Sequence, residues 1–226
     1  MSAQAIVLET VSKVFQTGRV PVAAIQEVSL VIPGGAFRTI AGASGSGKTT
    51  LFNLIGGLET PTGGRIRMGD LRLDTLGERE LAHYRRHRVG FVFQGNNLIP
   101  TLTAFENVEI PLILTGSRQR RQKAAEALAA VGLADKRDRM PHLLSGGEQQ
   151  RIAIARAVVH APDLVLADEP TANLDSGSGA AVLKLLKRLN RQLDTTVLFS
   201  THDQRIIDMS DHVLWLSDGR IVRRAD

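Results

Sequence analysis

The chain has 226 residues, an apolar fraction of 43%, no cysteine and a net charge of +5, with a mean hydropathy of -0.03. That size fits one large domain or a domain with a small subdomain. The missing thiols exclude a disulfide framework and a thiolate metal site, and no run approaches the roughly 18 apolar residues that a membrane-spanning helix needs. Arginines gather at Arg79 to Arg88, Arg118 to Arg121 and Arg220 to Arg224 without the interleaved aromatics of a single-strand stacking surface. Solvated helix faces, or contacts to lipid headgroups and a membrane partner, explain them, and no nucleic acid is expected. Met1 to Glu9 lacks the basic and apolar regions of a secretory signal, so cytoplasmic residence is the expectation.

Ala5 to Leu8 and Val28 to Ile32 have the β-branched content of strands, with a hairpin or loop at Gln16 to Arg19 between them. Phe15, beside that loop, reads as a core aromatic or as a ring face offered to a base. Phe37 to Ala41 reads as a short strand and Thr50 to Ile55 as a helix. Between them Gly42-Ala43-Ser44-Gly45-Ser46-Gly47-Lys48-Thr49 fits the phosphate-binding pattern G-x-x-x-x-G-K-[ST]. Its glycines let successive N–H groups turn inward around a phosphate, and the helix adds its positive dipole end. Lys48 can then reach the β- and γ-phosphates, and the Thr49 hydroxyl can ligate Mg²⁺.

After a turn at Glu59 to Gly64, Arg65 to Met68 alternates polar and apolar like an edge strand. Asp74 to His87 reads as a loop and a charged helix. Val89 to Phe93 is a buried strand that delivers Gln94 at its carboxyl end, where open α/β sheets bind ligands. Asn96 to Gly116 is apolar but broken by Pro100 and Pro111, with a short helix over Thr103 to Val108 capped by Thr103. Arg118 to Val131 is a longer helix with Ala124, Leu128 and Val131 on one face and Gly132 as its stop. The absence of sheet-like runs between Leu98 and Leu143 predicts a helical subdomain inserted between core strands.

Pro141 to Leu143 is an elbow back to the core, followed by Leu144 to Arg151. Ser145 and Glu148 fit a capping box, yet Gly146 and Gly147 in the first helical turn each cost about 1 kcal/mol against alanine. Their bare backbone suits close approach by an anion. Asp163 to Ala167 is a second core strand ended by Asp168-Glu169-Pro170. Asp168 would hold Mg²⁺, directly or through water, and Glu169 would orient or deprotonate an attacking water. Thr171 to Ser176 leads into a helix over Gly177 to Leu193. Thr195 to Ser200 is a third core strand carrying Thr201-His202-Asp203, with His202 placed to bond a γ-phosphate or the attacking water. His212 to Val222 closes the chain as a hairpin.

The loop Gly42 to Thr49, Gln94, Leu144 to Arg151, Leu164 to Pro170, Asp175 and His202 together resemble the nucleotide-binding domain of ATP-binding cassette (ABC) transporters, over essentially the whole chain. The wording Phe-Gln-Gly-Asn-Asn-Leu-Ile-Pro and Ala-Asp-Glu-Pro-Thr-Ala-Asn-Leu-Asp is similar to the subgroup of macrolide-exporter, lipoprotein-releasing and cell-division ATPases. The resemblance implies an α/β P-loop NTPase fold with a RecA-like core, an antiparallel β subdomain and an inserted α-helical subdomain. One domain would span residues 1–226, with 1–94 and 160–226 as catalytic core plus N-terminal β subdomain and 95–159 as the mainly helical signature part.

It further implies a Mg²⁺-dependent ATPase that closes as a head-to-tail homodimer around two ATP molecules. Each ATP would touch Gly42, Ala43, Ser44, Gly45, Ser46, Gly47, Lys48, Thr49 and Thr50 of one copy and Ser145, Gly146 and Gly147 of the other. Asp175 would lie across the interface, and Phe15 would stack on adenine. Thr49, Gln94 and Asp168 would surround Mg²⁺, with Gln94 also reporting nucleotide state to the helical insert. Glu169 would act as base, with Lys48 and His202 stabilising charge. Residues 78–114 would form the groove for a coupling helix of a transmembrane permease subunit, with the chain peripheral on the cytoplasmic face of the inner membrane, working in export or lipoprotein release. A soluble cassette ATPase acting on nucleic acid or ribosomes is the alternative, but the chain has neither long coiled-coil insertions nor a second cassette. A regulatory module that binds ATP without hydrolysis is disfavoured by the intact Glu169, His202 and Gln94.

Overall fold

A computed structural model describes residues 4–17 and 20–225. Strands β1 (Ile6–Thr17) and β2 (Val20–Ile32) pair antiparallel from Ile6 opposite Ile32 to Thr17 opposite Val20. Gly18 and Arg19 of the expected connection lie outside the described residues. Along β2, buried Val28, Leu30 and Ile32 alternate with exposed Glu27, Ser29 and Val31, the period of a sheet with one covered face. β3 (Phe37–Ala41) precedes helix α1 (Lys48–Ile55). β4 (Gly63–Met68) and β5 (Leu71–Arg72) complete a four-stranded sheet in the order β2-β1-β4-β5. β4 is therefore an inner strand and not the expected edge. Gly69, at φ 58, turns the chain back so that two residues of β5 cover β4, a strand too short to carry a sequence period of its own.

Helix α2 (Glu78–Arg88) leads into β6 (Val89–Val92). Helices α3 (Ala104–Leu114), α4 (Arg120–Ala130) and α5 (Gly146–Val158) follow before β7 (Leu164–Ala167). Then come α6 (Ser176–Leu193), β8 (Thr196–Thr201), α7 (Gln204–Asp208), β9 (Val213–Ser217) and β10 (Arg220–Ala225). The second sheet has the order β10-β9-β3-β8-β7-β6, parallel throughout except for the β9–β10 hairpin. β7 and β8 are buried at every residue, as strands covered on both faces are. Their alternate side chains feed two apolar clusters. Leu164, Leu166 and Leu198 pack with α1 and the first sheet, whereas Val165, Val197 and Phe199 pack under α3, α5 and α6.

Pro111 lies inside α3, which runs past the expected end at Val108. A helix-interior proline costs about 3 kcal/mol or more through its missing donor and its clash with the preceding turn. Tertiary contacts offset it: Phe105, Val108 and Leu112 are buried, and the buried Asn107 amide stitches the preceding loop to the helix. Its Nδ2 donates to the carbonyls of Ile99, Leu102 and Thr103, and its Oδ1 accepts from Ile99 N at 2.8 Å. Gly132, at φ 74, stops the segment after α4 as expected. Among the described residues no helix is long and apolar enough to cross a membrane.

Candidate functional site

Four neighbouring parallel strands, β3, β8, β7 and β6, end on the same side of the sheet with polar cargo. Spacing of about 4.8 Å between adjacent strands brings the phosphate loop, His202, Asp168-Glu169 and Gln94 to one place. They open onto a cleft of about 760 Å³, lined by Ser44, Gly45, Gly47, Lys48, Thr49, Thr50, Gln94, Glu169 and His202, with Val22 to Ala24, Gln26, Asp218 and Gly219 on the remaining wall.

The loop wraps the Lys48 ammonium, which donates to Gly42 O at 2.8 Å and Ala43 O at 2.9 Å. Gly47 caps α1 in the left-handed region, at φ 105, where a side chain would also collide with the Ala24 carbonyl. The Ser46 hydroxyl is buried with no hydrogen-bond partner. Across the cleft, the Glu169 carboxylate lies 3.1 Å from Lys48 Nζ through Oε1 and 3.1 Å from His202 Nδ1 through Oε2. The Lys48 side chain is 4% exposed and that of His202 54% exposed, so one partner of Glu169 is shielded and the other faces solvent.

Glu169 sits at φ 46, a backbone state costing a non-glycine residue about 1–3 kcal/mol and frequent where geometry is fixed for chemistry. Ser200 holds it there. Glu169 N donates to Ser200 Oγ at 2.8 Å, and the Ser200 hydroxyl donates to Asp168 Oδ1 at 2.6 Å. The other Asp168 oxygen accepts from Thr49 Oγ1 at 2.7 Å. One carboxylate beside one hydroxyl is a donor set that fits Mg²⁺, which keeps waters and takes substrate phosphates as further ligands. No group of three or more His, Cys, Asp or Glu that could hold a metal alone occurs among the described residues.

Behind the cleft wall, Gln94 O accepts from Asn173 Nδ2 at 3.2 Å. The next residues, Asn96 at φ 59 and Asn97 at φ 48, offer their carbonyls to Arg156 of α5 at 2.7 and 2.6 Å. The segment after Gln94 is thus tied both to the turn before α6 and to α5.

Other expected residues lie outside the cleft lining. Phe15 pairs with Val22 of the cleft wall, and the Lys13 ammonium lies 4.9 Å over its ring. Ser145, Gly146 and Gly147 begin α5 away from the cleft, with Ser145 and Gly146 exposed. Their capping box is formed: Glu148 Oε2 accepts from Ser145 N at 2.8 Å and Glu148 N donates to Ser145 Oγ at 3.3 Å. The bond from the Ser145 backbone holds the Glu148 carboxyl below its usual range. A Cβ on Gly146 or Gly147 would meet nothing closer than 3.7 or 3.6 Å within the chain. Internal packing therefore does not require glycine at either position. Asp175 caps α6, accepting from Gly177 N and Ser178 N at 3.0 Å each, and the Ser178 hydroxyl and N–H hold its pKa down.

Ser200, Asn173, Arg156 and the Asp218-Gly219 turn are contributors that sequence motifs did not single out. Ser200 alone carried a signal, as a hydroxyl interrupting the apolar run Val197-Leu198-Phe199.

A parallel sheet with a phosphate loop after one strand and paired carboxylates after another defines a phosphate-loop nucleotide-binding fold. Residues 25–172 match the family described as ABC transporter, and the chain belongs to that family. It is 46% identical over 222 residues to the macrolide export ATP-binding/permease protein MacB of Brucella abortus, covering 97% of this chain and 34% of that relative. The chain thus spans about a third of the length of the macrolide export relatives that it matches. It is 42% identical over 224 residues to the ABC transporter ATP-binding protein MJ0796 of Methanocaldococcus jannaschii, covering 96% of this chain and 95% of that one. A dimeric post-hydrolysis state of the MJ0796 cassette bound to ADP and Pi matches the fold with a TM-score of 0.89 at 40% identity, over 98% of each chain.

Proposed function

We propose that the chain is the Mg²⁺-dependent ATPase of an ABC transport or envelope mechanotransmission complex, driving a separate membrane subunit by closure of its own homodimer. The observation that carries this reading is the Glu169 carboxylate held between Lys48 and His202 across the cleft from the phosphate loop. The Lys48 ammonium is paired with Glu169 and donates to two loop carbonyls. A triphosphate competes for that ammonium, which releases Glu169 to accept a proton from water attacking the γ-phosphate. His202 then steadies the transferring group, and the loop N–H groups and Lys48 stabilise its charge. Mg²⁺ held by Thr49 and Asp168, with Gln94 adjacent, would neutralise the β- and γ-oxygens.

Gly146 and Gly147 support a head-to-tail ATP sandwich, because the chain itself leaves the space over them open. The dimeric form of the MJ0796 cassette agrees with this. In this reading residues 95–159 act as the helical signature part against a core of 1–94 and 160–226. The stretch 78–114 receives a permease segment in a groove of about 300 Å³ whose lining includes Phe91, Phe93, Pro111, Arg85 and Arg86. Export is favoured over other cargo because the macrolide relatives are named ATP-binding/permease proteins, and the working location is peripheral, on the cytoplasmic membrane face.

The test is Glu169→Gln. ATP should still bind, while turnover falls at least about 100-fold and an ATP-bound dimer accumulates on size-exclusion chromatography. Unchanged turnover would remove Glu169 from its role.

A further inference from the structure

The closing hairpin reaches the back of the phosphate loop. Its turn, Asp218 and Gly219, has φ values of 47 and 73. Gly219 N donates to Ser46 O at 2.9 Å, and Gly219 O accepts from Gln26 N at 2.9 Å. The Gln26 side chain completes the junction: Nε2 donates to Asp218 O at 2.9 Å, and Oε1 accepts from Arg220 Nη2 at 2.9 Å. There is no slack in the packing. A Cβ on Gly219 would lie 2.7 Å from the Ala24 carbonyl oxygen, a Cβ on Gly47 would lie 2.6 Å from that same oxygen, and a Cβ on Gly42 would lie 2.3 Å from Leu216 O. Phosphate loop, β2 and hairpin therefore meet at van der Waals limits, backbone against backbone.

We propose that the β9–β10 turn is a brace that sets nucleotide affinity, with Gly219 as a positioning residue that holds Ser46 to Lys48 in the anion-binding conformation. The proposal rests on the reading of the cleft as the ATP site. A loop with three glycines and two serines has large conformational freedom, and each residue left unfixed must be ordered when the phosphates arrive. The Ser46 carbonyl is the point where that freedom is removed in advance, so losing its donor shifts the ordering cost onto binding. Asp168 and Glu169 follow β7 and His202 follows β8, so the hydrogen bond from the turn bears on the phosphate loop and not on the groups that position the attacking water.

Gly219→Ala places a methyl group against backbone at a positive φ, so the turn must withdraw from Ser46. Gly132→Ala is the control: Gly132 has φ 74 but no atom within 4 Å of its would-be Cβ, so it carries the dihedral strain without the collision. Full-length proteins would be compared by titration with a labelled ATP analogue, steady-state kinetics, nucleotide-free melting and hydrogen exchange over residues 42–50. For Gly219→Ala, Kd and KM should rise about tenfold with a smaller fall in kcat, and exchange of the loop amides should increase. Gly132→Ala should lower only the melting temperature. Gln26→Ala, which removes a support of the turn without backbone strain, should raise KM about two- to threefold and increase loop exchange. Wild-type KM and loop exchange in folded Gly219→Ala would overturn the proposal, and so would equal KM changes in the two glycine variants. If Gly219→Ala does not fold, unchanged loop exchange in Gln26→Ala overturns it. Analogue that binds Lys48→Ala as tightly as wild type would overturn the assignment of the cleft itself, and the brace with it.

Discussion

Ser200 shows how one hydroxyl can serve two acidic residues at once, accepting from the backbone N–H of Glu169 and donating to the carboxylate of Asp168. Its removal leaves a carboxylate oxygen and an N–H short of partners, an imbalance of about 1–3 kcal/mol where burial is high. Ser200→Ala is predicted to lower kcat about tenfold and to raise the Mg²⁺ concentration needed for half activity, with ATP binding nearly unchanged. Ser200→Thr, which restores the hydroxyl, should recover most of the loss in the same assay. Lys48→Ala has a different signature: it removes the cation inside the phosphate loop and should weaken ATP binding at least about tenfold by titration. Lys48, Thr49, Asp168 and Glu169 could be located from sequence because motif spacing and strand ends are local properties. The Ser200 link joins residues 32 positions apart, and only the β7–β8 register brings them together. Nor did any glycine flag the positive φ of Glu169.

Helix starts govern the next scale. Thr103 with Glu106 and Ser145 with Glu148 form reciprocal capping boxes on α3 and α5, and Asp175 caps α6. Hydrogen bonds hold all three carboxyls below their ordinary values: the Thr103 backbone for Glu106, the Ser145 backbone for Glu148 and the Ser178 hydroxyl for Asp175. A depressed folded-state pKa gives stability that is present above the unfolded pKa and lost as pH falls through the folded one. Urea midpoints should therefore drop from about pH 5 downward, and the drop should be shallower in Glu106→Gln with Glu148→Gln; parallel curves would exclude the caps as its source. The Ser145 box with Glu148 and the Thr103 cap were visible in the sequence, whereas Asp175 as the cap of α6 was not. The passage of α3 through Pro111 and the inner place of β4 were not, because each is decided by packing partners distant in sequence. Arg156 is a further link between elements. Arg156→Met should increase hydrogen exchange of residues 94–98 while leaving the phosphate loop protected.

At the scale of the molecule, strand order matters more than any single motif. β3, β8, β7 and β6 are neighbours although their order in sequence differs, and parallel pairing puts all four carboxyl ends on one rim. The expected α/β fold was implied by the resemblance that the motifs carry together, whereas the order of strands in the sheet was not readable from periodicity. On the proposed reading the exposed start of α5 would complete a site only when a second copy presents it, so ATPase rate should rise more steeply than linearly with protein concentration at the dilute end. A strictly linear rise would argue for self-sufficient monomers. Gly146 and Gly147, unneeded by their own chain, also have a genetic consequence. A defective copy made beside a normal one would capture it in mixed pairs, so damage to Glu169 or to the start of α5 should behave as dominant in a cell, whereas a variant that fails to fold should be recessive.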